Sequence, residues 1–118
     1  MTASKNDCIF CKIANKEMPV QLEYEDGVVA AFKDKNPQAP VHILIVPKTH
    51  IPSINNATER DTKLLGDILI SSKNIAAKLK ISDSGYRLVI NCGRGGGQLV
   101  DHLHLHLLGG RTFSWPPG

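Results

Sequence analysis

Apolar and polar residues alternate one for one from His102 to Leu107, behind the glycine-rich stretch Gly93-Arg94-Gly95-Gly96-Gly97. A period of two is the signature of a β-strand. His102, His104 and His106 are therefore expected on one face, with Leu103, Leu105 and Leu107 on the other, against a core. Residues 41–46 are mostly β-branched and predict a central strand closed by Pro47. On it His42 and Leu44 share one face, Ile43 and Ile45 the other. Residues 21–24 and 28–33 read as strands around a turn at Glu25-Asp26-Gly27, and 86–91 as another strand. The loop 34–40 is fixed by Pro37 and Pro40.

The period changes at residues 58–80. Leu64, Leu65, Ile68, Leu69, Ile75, Ala76 and Leu79 recur at helical spacing, and Asn56 with Glu59 reads as the start signal. Residues 8–15 predict a short helix with Ile9, Phe10 and Ile13 as its apolar face and Asp7 or Asn6 as its N-cap. Five strands with one long and one short helix predict an α+β domain with a mainly antiparallel sheet. The expected organisation is a flexible tail at 1–6 and one domain over 7–118.

Composition narrows the function classes. The 118 residues carry a formal net charge of +3 and only 5% aromatics. That mild balance suits a small anionic ligand and lacks the basic footprint and stacking platform of a nucleic-acid binder. No apolar run is long enough to span a membrane, and residues 1–7 lack the apolar core of a signal peptide. The expected site is the cytoplasm, with access to the nucleus by diffusion. Three cysteines, an odd number, argue against a disulfide framework.

Three imidazoles on one face suit two kinds of chemistry. Neutral imidazoles bind metals, or one of them acts as nucleophile or base while its neighbours orient it. The glycine loop could bring backbone N–H groups to a phosphate, or be a plain hairpin connection. Cys8-x-x-Cys11 puts two thiols on one side of the short helix. They are either a pair of zinc ligands to be completed by two imidazoles, or two reduced thiols packed as small hydrophobes. Cys92 reads as an ordinary thiol.

The segment His102-Leu103-His104-Leu105-His106-Leu107-Leu108 resembles the signature of the histidine-triad (HIT) family, His-φ-His-φ-His-φ-φ. Cys8-Ile9-Phe10-Cys11-Lys12-Ile13, Pro37-Gln38-Ala39-Pro40, the stretch 42–47 with His50, and Gly96-Gly97-Gln98 extend the likeness. The ending Trp115-Pro116-Pro117-Gly118 resembles the Hint branch, the histidine-triad nucleotide-binding proteins. The resemblance implies a HIT-like fold whose five-stranded sheet joins a second copy into a ten-stranded sheet in a two-fold homodimer.

It also implies a purine nucleoside phosphoramidate hydrolase of the adenosine 5′-monophosphoramidase type. The family nucleophile corresponds to His104, which would form a covalent nucleotidyl-histidine and release AMP and an amine. The carbonyl of His102 would fix the His104 tautomer, and His42 would brace the triad. By the same likeness His106 and Gln98 would hold phosphate oxygens, with Asn91, Gly97 and Leu99 beside them. Asp34 would take the ribose hydroxyls, Ile9, Phe10, Ile13 and Phe32 would enclose the base, and Trp115 would reach the partner's site. In some family members the residues matching Cys8, Cys11, His50 and His102 hold a structural zinc, and the reaction itself calls for no cofactor. Three positions depart from the pattern: Leu99 stands where the Hint branch usually has serine, Lys35 where it has an apolar residue, and Asp101 where it has an aromatic. The rival expectations are a non-catalytic purine-nucleotide sensor that regulates a partner protein, and a zinc-binding interaction module.

Overall fold

The β-branched run does become the middle of the sheet. In the computed structural model, which describes residues 7–118, the elements in chain order are α1 (Ile9–Ala14), β1 (Tyr24–Glu25), β2 (Val29–Lys33), β3 (Val41–Pro47), α2 (Thr62–Lys78), β4 (Tyr86–Val89) and β5 (Leu105–Gly109). The strands form one sheet in the order β1-β2-β3-β5-β4, and every pairing is antiparallel. The expected tail at 1–6 lies outside the described residues.

Strand alternation sorts the apolar side chains into two cores. Val29 and Ala31 of β2, Ile43 and Ile45 of β3 and Leu105 and Leu107 of β5 pack with Ile68, Ile75 and Ala76 of α2. On the opposite face Ala30, Phe32, Leu44 and Val46 pack with Cys8, Phe10, Cys11, Ile13 and Ala14 around α1. Burying each large aliphatic side chain contributes about 1.5–3 kcal/mol. The register sets Leu44 opposite His106 and Ile43 opposite Leu107. The histidine side of β5 thus shares its face with α1, while α2 covers the leucine side.

Several expectations are corrected in detail. The strand expected at 21–24 contributes only Tyr24 to β1, which runs to Glu25, and β4 ends at Val89 rather than at residue 91. The long helix starts at Thr62, not 58. Thr58 and Asp61 form a capping box around a short 3-10 turn (Glu59–Asp61), so the start signal is this pair and not Asn56 with Glu59. Leu69 leaves the apolar stripe and is exposed, as is Ile70. At α1 the N-cap is Cys8, whose Sγ accepts from Cys11 N–H at 3.4 Å. Asn6 lies outside the described residues.

The last correction concerns the histidines. The ladder of β5 begins at Leu105. His102 to His104 run instead beside the 47–51 stretch, where Leu103 N–H donates to Ile51 C=O at 2.7 Å. The alternation of side chains persists through this irregular segment, because Leu103 joins the α2 core while His102 and His104 are buried on the other side.

Candidate functional site

The site is a row of imidazoles whose protons can be assigned from their partners. The backbone N–H of Gln38 donates to His42 Nδ1 at 3.0 Å. An amide N–H only donates, so neutral His42 carries its proton on Nε2. That Nε2 lies 2.9 Å from His106 Nδ1, nearer than the 3.5 Å to Asp34 Oδ2. His106 Nδ1 is thereby the acceptor, and its own proton sits on Nε2. His106 Nε2 is buried without a protein partner. A buried donor without a partner lacks a hydrogen bond that a ligand oxygen would supply.

His104 is held in the opposite tautomer. Its Nδ1 lies 2.7 Å from the carbonyl of His102, which can only accept. The proton is on Nδ1 and the lone pair on Nε2. The rings of His104 and His106 are 5.0 Å apart, so a lone pair and an N–H donor stand side by side. Phe10 of α1 meets His104 edge-on at 5.1 Å and fixes the ring from above. Burial lowers the pKa of His104 from its ordinary value of 6.5, against the opposing pull of the His102 carbonyl and Asp34. Burial first, and then the neighbouring His104 and His42, push His106 down to about 4. Burial lowers His42 as well, opposed by Asp34. All three rings are neutral at pH 7, so the lone pair on His104 is available for attack.

A second cluster lies behind the first. His102 is fully buried, and its Nε2 donates to Pro47 C=O at 2.9 Å. Its Nδ1 lone pair therefore points the other way, at Cys8 Sγ (3.2 Å), Cys11 Sγ (3.4 Å) and His50 Nδ1 (3.1 Å). Cys11 Sγ is also 3.2 Å from His50 Nδ1. The four ligand atoms all lie within 4.8 Å of one another. Tetrahedral zinc bound to nitrogen and sulfur needs ligand-to-ligand edges of roughly 3.3–3.8 Å. Two soft sulfurs and two imidazoles converging at that spacing fit a closed structural zinc site. Burial lowers His102 to about 4, opposed by its bond to Pro47, so its nitrogen is free of a competing proton at neutral pH.

The other expected residues are placed unequally. Phe10, Ile13 and Phe32 are buried together beside the triad, whereas Ile9 is 40% exposed. Asp34 stands at the mouth near His42 and accepts from Asn36 N–H at 2.8 Å. Gln98 uses its side chain within the loop. Its Oε1 accepts from Gly93 N–H, and its Nε2 donates to the carbonyls of Pro52 and Val100. The carboxamide is spent on stapling the glycine loop. Asn91 lies half-buried just beyond β4, and Gly97 has φ +83°, which lets the loop turn back before Gln98. Leu99 is 94% exposed, and the Trp115 indole is 82% exposed, away from the histidines of its own chain.

The structure adds groups without side-chain chemistry that the sequence does not announce, namely Gln38 N–H and the Pro47 carbonyl. Both sit in or at the end of proline-marked segments, which is the only signal the chain offers for them.

The sequence model of the HIT domain family matches residues 15–113. The chain belongs to the HIT domain family. An uncharacterised HIT-like protein of the cyanobacterium Synechocystis is 55% identical over 112 residues, covering 95% of this chain and 97% of the relative. Among solved structures, a HIT family hydrolase from Legionella pneumophila superposes with a TM-score of 0.93 at 53% identity, covering 95% of this chain and all of that one. A histidine triad nucleotide-binding protein from Candida albicans gives 0.78 at 35% identity, covering 93% of this chain and 83% of that one. Within the family, the shared five-stranded antiparallel sheet with its long helix is the scaffold on which the triad stands.

Proposed function

We propose that this HIT protein is a hydrolase of the Hint branch that cleaves the P–N bond of purine nucleoside phosphoramidates. The observation that carries this reading is the pairing of opposite tautomers. His104 Nε2 holds a lone pair, fixed by the His102 carbonyl, beside an unpartnered buried N–H on His106. In the first step His104 Nε2 attacks the α-phosphorus, the P–N bond breaks, and the amine leaves with a proton taken from solvent water. His106 Nε2–H donates to a non-bridging oxygen as negative charge concentrates there. Water then attacks the nucleotidyl-histidine, the P–N bond to His104 breaks, and AMP departs. Covalent catalysis thereby splits one displacement into two easier ones.

The remaining assignments follow the same reading. Asp34 takes the ribose hydroxyls, and Phe10, Ile13 and Phe32 with the exposed Ile9 flank the purine. Backbone groups of the glycine loop at Gly97 and Leu99, rather than the carboxamide of Gln98, meet the phosphate, with Asn91 alongside. The names of the Legionella and Candida proteins, a hydrolase and a nucleotide-binding protein, support this class of activity. Cys8, Cys11, His50 and His102 hold a structural zinc, which ties α1 to the segment carrying the nucleophile. A homodimer is supported by the free edge of β4, where Leu88 and Ile90 are exposed next to Leu69 and Ile70 of α2. Pairing two β4 edges protects them, covers that apolar face and sends Trp115 toward the partner's site. Among the described residues no helix is long and apolar enough to cross a membrane.

The test is hydrolysis of an adenosine phosphoramidate carrying a fluorogenic amine. Wild type should turn over and show a transient AMP adduct by intact-protein mass. His104→Ala and His104→Gly should lose turnover by about 10³-fold or more. The exposed Leu99, which brings no hydroxyl to the loop, favours a second reading as a nucleotide sensor. Tight AMP binding by a folded wild type without turnover would establish that reading instead.

A further inference from the structure

The C-terminal segment is tied to the imidazole row through a contact chain that the family signature does not include. Two guanidiniums lie over the Phe113 ring, with Arg111 Cζ 4.2 Å and Arg87 Cζ 5.1 Å from its centroid. Arg87 of β4 also donates to the carbonyl of Ser114 at 2.7 Å. Arg111 donates through Nε to the carbonyl of Gln38 at 3.1 Å. The neighbouring Gly110, at φ +86°, lies so close to Pro40 that a Cβ there would come within 2.9 Å of its ring. Residues 110 and 111 thus press and bond the 37–40 loop from outside. Gln38 is the residue whose N–H sets the proton on His42.

We propose that Arg111, locked against Phe113 by Arg87, is a positioning residue for the phosphate-facing histidine. It holds Gln38 so that its N–H points at His42 Nδ1. His42 then donates from Nε2 to His106, and His106 keeps its own N–H on Nε2, facing the site. Arg111 touches no reacting atom. Its effect reaches His106 through three hydrogen bonds and the His42 ring. The same grip fixes the base of the tail that carries Trp115, so tail and proton relay are ordered together. A stacked guanidinium suits this role because its plane can lie on the phenyl face while its edge donates in line, which an ammonium cannot do. The inference rests on the reading of His106 as the donor to phosphate.

The experiment needs no substrate for its main readout. Trp115 is the sole tryptophan, so its fluorescence anisotropy reports the tail. Nitrogen-15 shifts of the histidine rings in the full-length protein report the tautomers. Wild type should show His42 and His106 protonated on Nε2. Arg111→Ala should lower the anisotropy and move both rings toward a mixture of tautomers. Arg111→Lys keeps a charge over Phe113 but not the guanidinium edge. It should leave the anisotropy nearer wild type and still disturb His42, which keeps the test decisive if the alanine variant folds poorly. Phe113→Ala should loosen the tail and Phe113→Tyr should restore it. Turnover in Arg111→Ala should fall about 10–100-fold with KM little changed, the size expected of a misaligned transition-state donor. Folded Arg111 variants with wild-type ring shifts would overturn the proposal. Wild type without phosphoramidase turnover, but with rings that move as expected, would sink the hydrolase reading and leave the relay standing.

Discussion

The two clusters on either side of His104 are built from the same residue type and work by opposite logic. In the relay of Gln38, His42 and His106, donors and acceptors run head to tail, beginning at Gln38 N–H and ending on the unpartnered Nε2–H of His106. That chain is complete with protons alone. In the cluster of Cys8, Cys11, His50 and His102, two sulfurs and two ring nitrogens converge at 3.1–3.4 Å. The His102 proton is committed to Pro47 on the far side. Soft sulfurs and imidazole nitrogens converging on one point suit a cation, whereas a head-to-tail chain has no place for one. His102 joins the two, since its ring belongs to the second cluster and its carbonyl holds the His104 ring.

The largest effect should come from breaking the convergent cluster. Cys8→Ser combined with Cys11→Ser removes both soft ligands. If the four residues hold zinc, stoichiometric metal by mass spectrometry disappears and Tm falls by more than about 10 °C, since structural metal binding is folding free energy. A metal-free wild type, with a shift of only a few degrees in the double variant, would make the thiols ordinary core residues and remove the contrast drawn here.

Acid should distinguish the clusters next. Burial and neighbouring imidazoles hold His106 at about 4, below its ordinary 6.5. A histidine depressed in the folded state contributes stability above its unfolded pKa. That contribution is lost as pH falls from 6.5 toward 4, at most about 3 kcal/mol for a shift of this size. Denaturant titrations should therefore show stability declining through this window, less steeply in His106→Asn. Acidification of the convergent cluster should instead release metal, because protons compete for the same lone pairs. The depressed His104 also predicts turnover persisting below pH 6.5, before protonation removes the attacking lone pair. A rate that halves near pH 6.5 would argue against that environment.

A smaller effect is expected at His42. His42→Asn removes the donor that fixes His106, and the loss of one buried hydrogen bond costs about 1–3 kcal/mol. Expressed in the transition state, that is a fall in kcat of roughly 10–100-fold. Metal content should not change. If metal affinity also falls, the two clusters are one cooperative unit.

The unequal legibility of these clusters has physical causes. Alternation at 102–107 and the β-branched run at 41–46 placed each histidine on its face, because side-chain direction follows directly from backbone period. The faces of Leu103 and His102 came out right even though the ladder starts only at Leu105. The long helix was legible from its stripe, but its first turn was not, since the Thr58–Asp61 capping box delays it. Leu69 departs from its expected place because helical spacing cannot tell the edge of a buried stripe from an apolar face left open in a single chain. The bonds of the Gln98 carboxamide are not legible for a different reason. Its partners Gly93, Pro52 and Val100 are backbone groups, brought together only by the fold. Gln38 N–H, which sets the proton order of the relay, is likewise invisible to any reading of side chains.

The finest test concerns Phe10, which touches both clusters. Its ring meets His104 at 5.1 Å and His102 at 6.1 Å, and Phe32 at 5.5 Å, all edge-on. Phe10→Leu keeps an apolar side chain between Cys8 and Cys11 but removes the aromatic edge contacts, which are worth about 0.5–1.5 kcal/mol beyond burial. Metal content should stay at the wild-type level, because the ligand atoms do not depend on the ring. Turnover should fall roughly 3–10-fold, as His104 gains rotational freedom about its bond to the His102 carbonyl. Unchanged turnover would mean that the carbonyl alone holds the nucleophile. Lost metal with unchanged turnover would mean that Phe10 serves the convergent cluster, and that His102 couples the two through its backbone only.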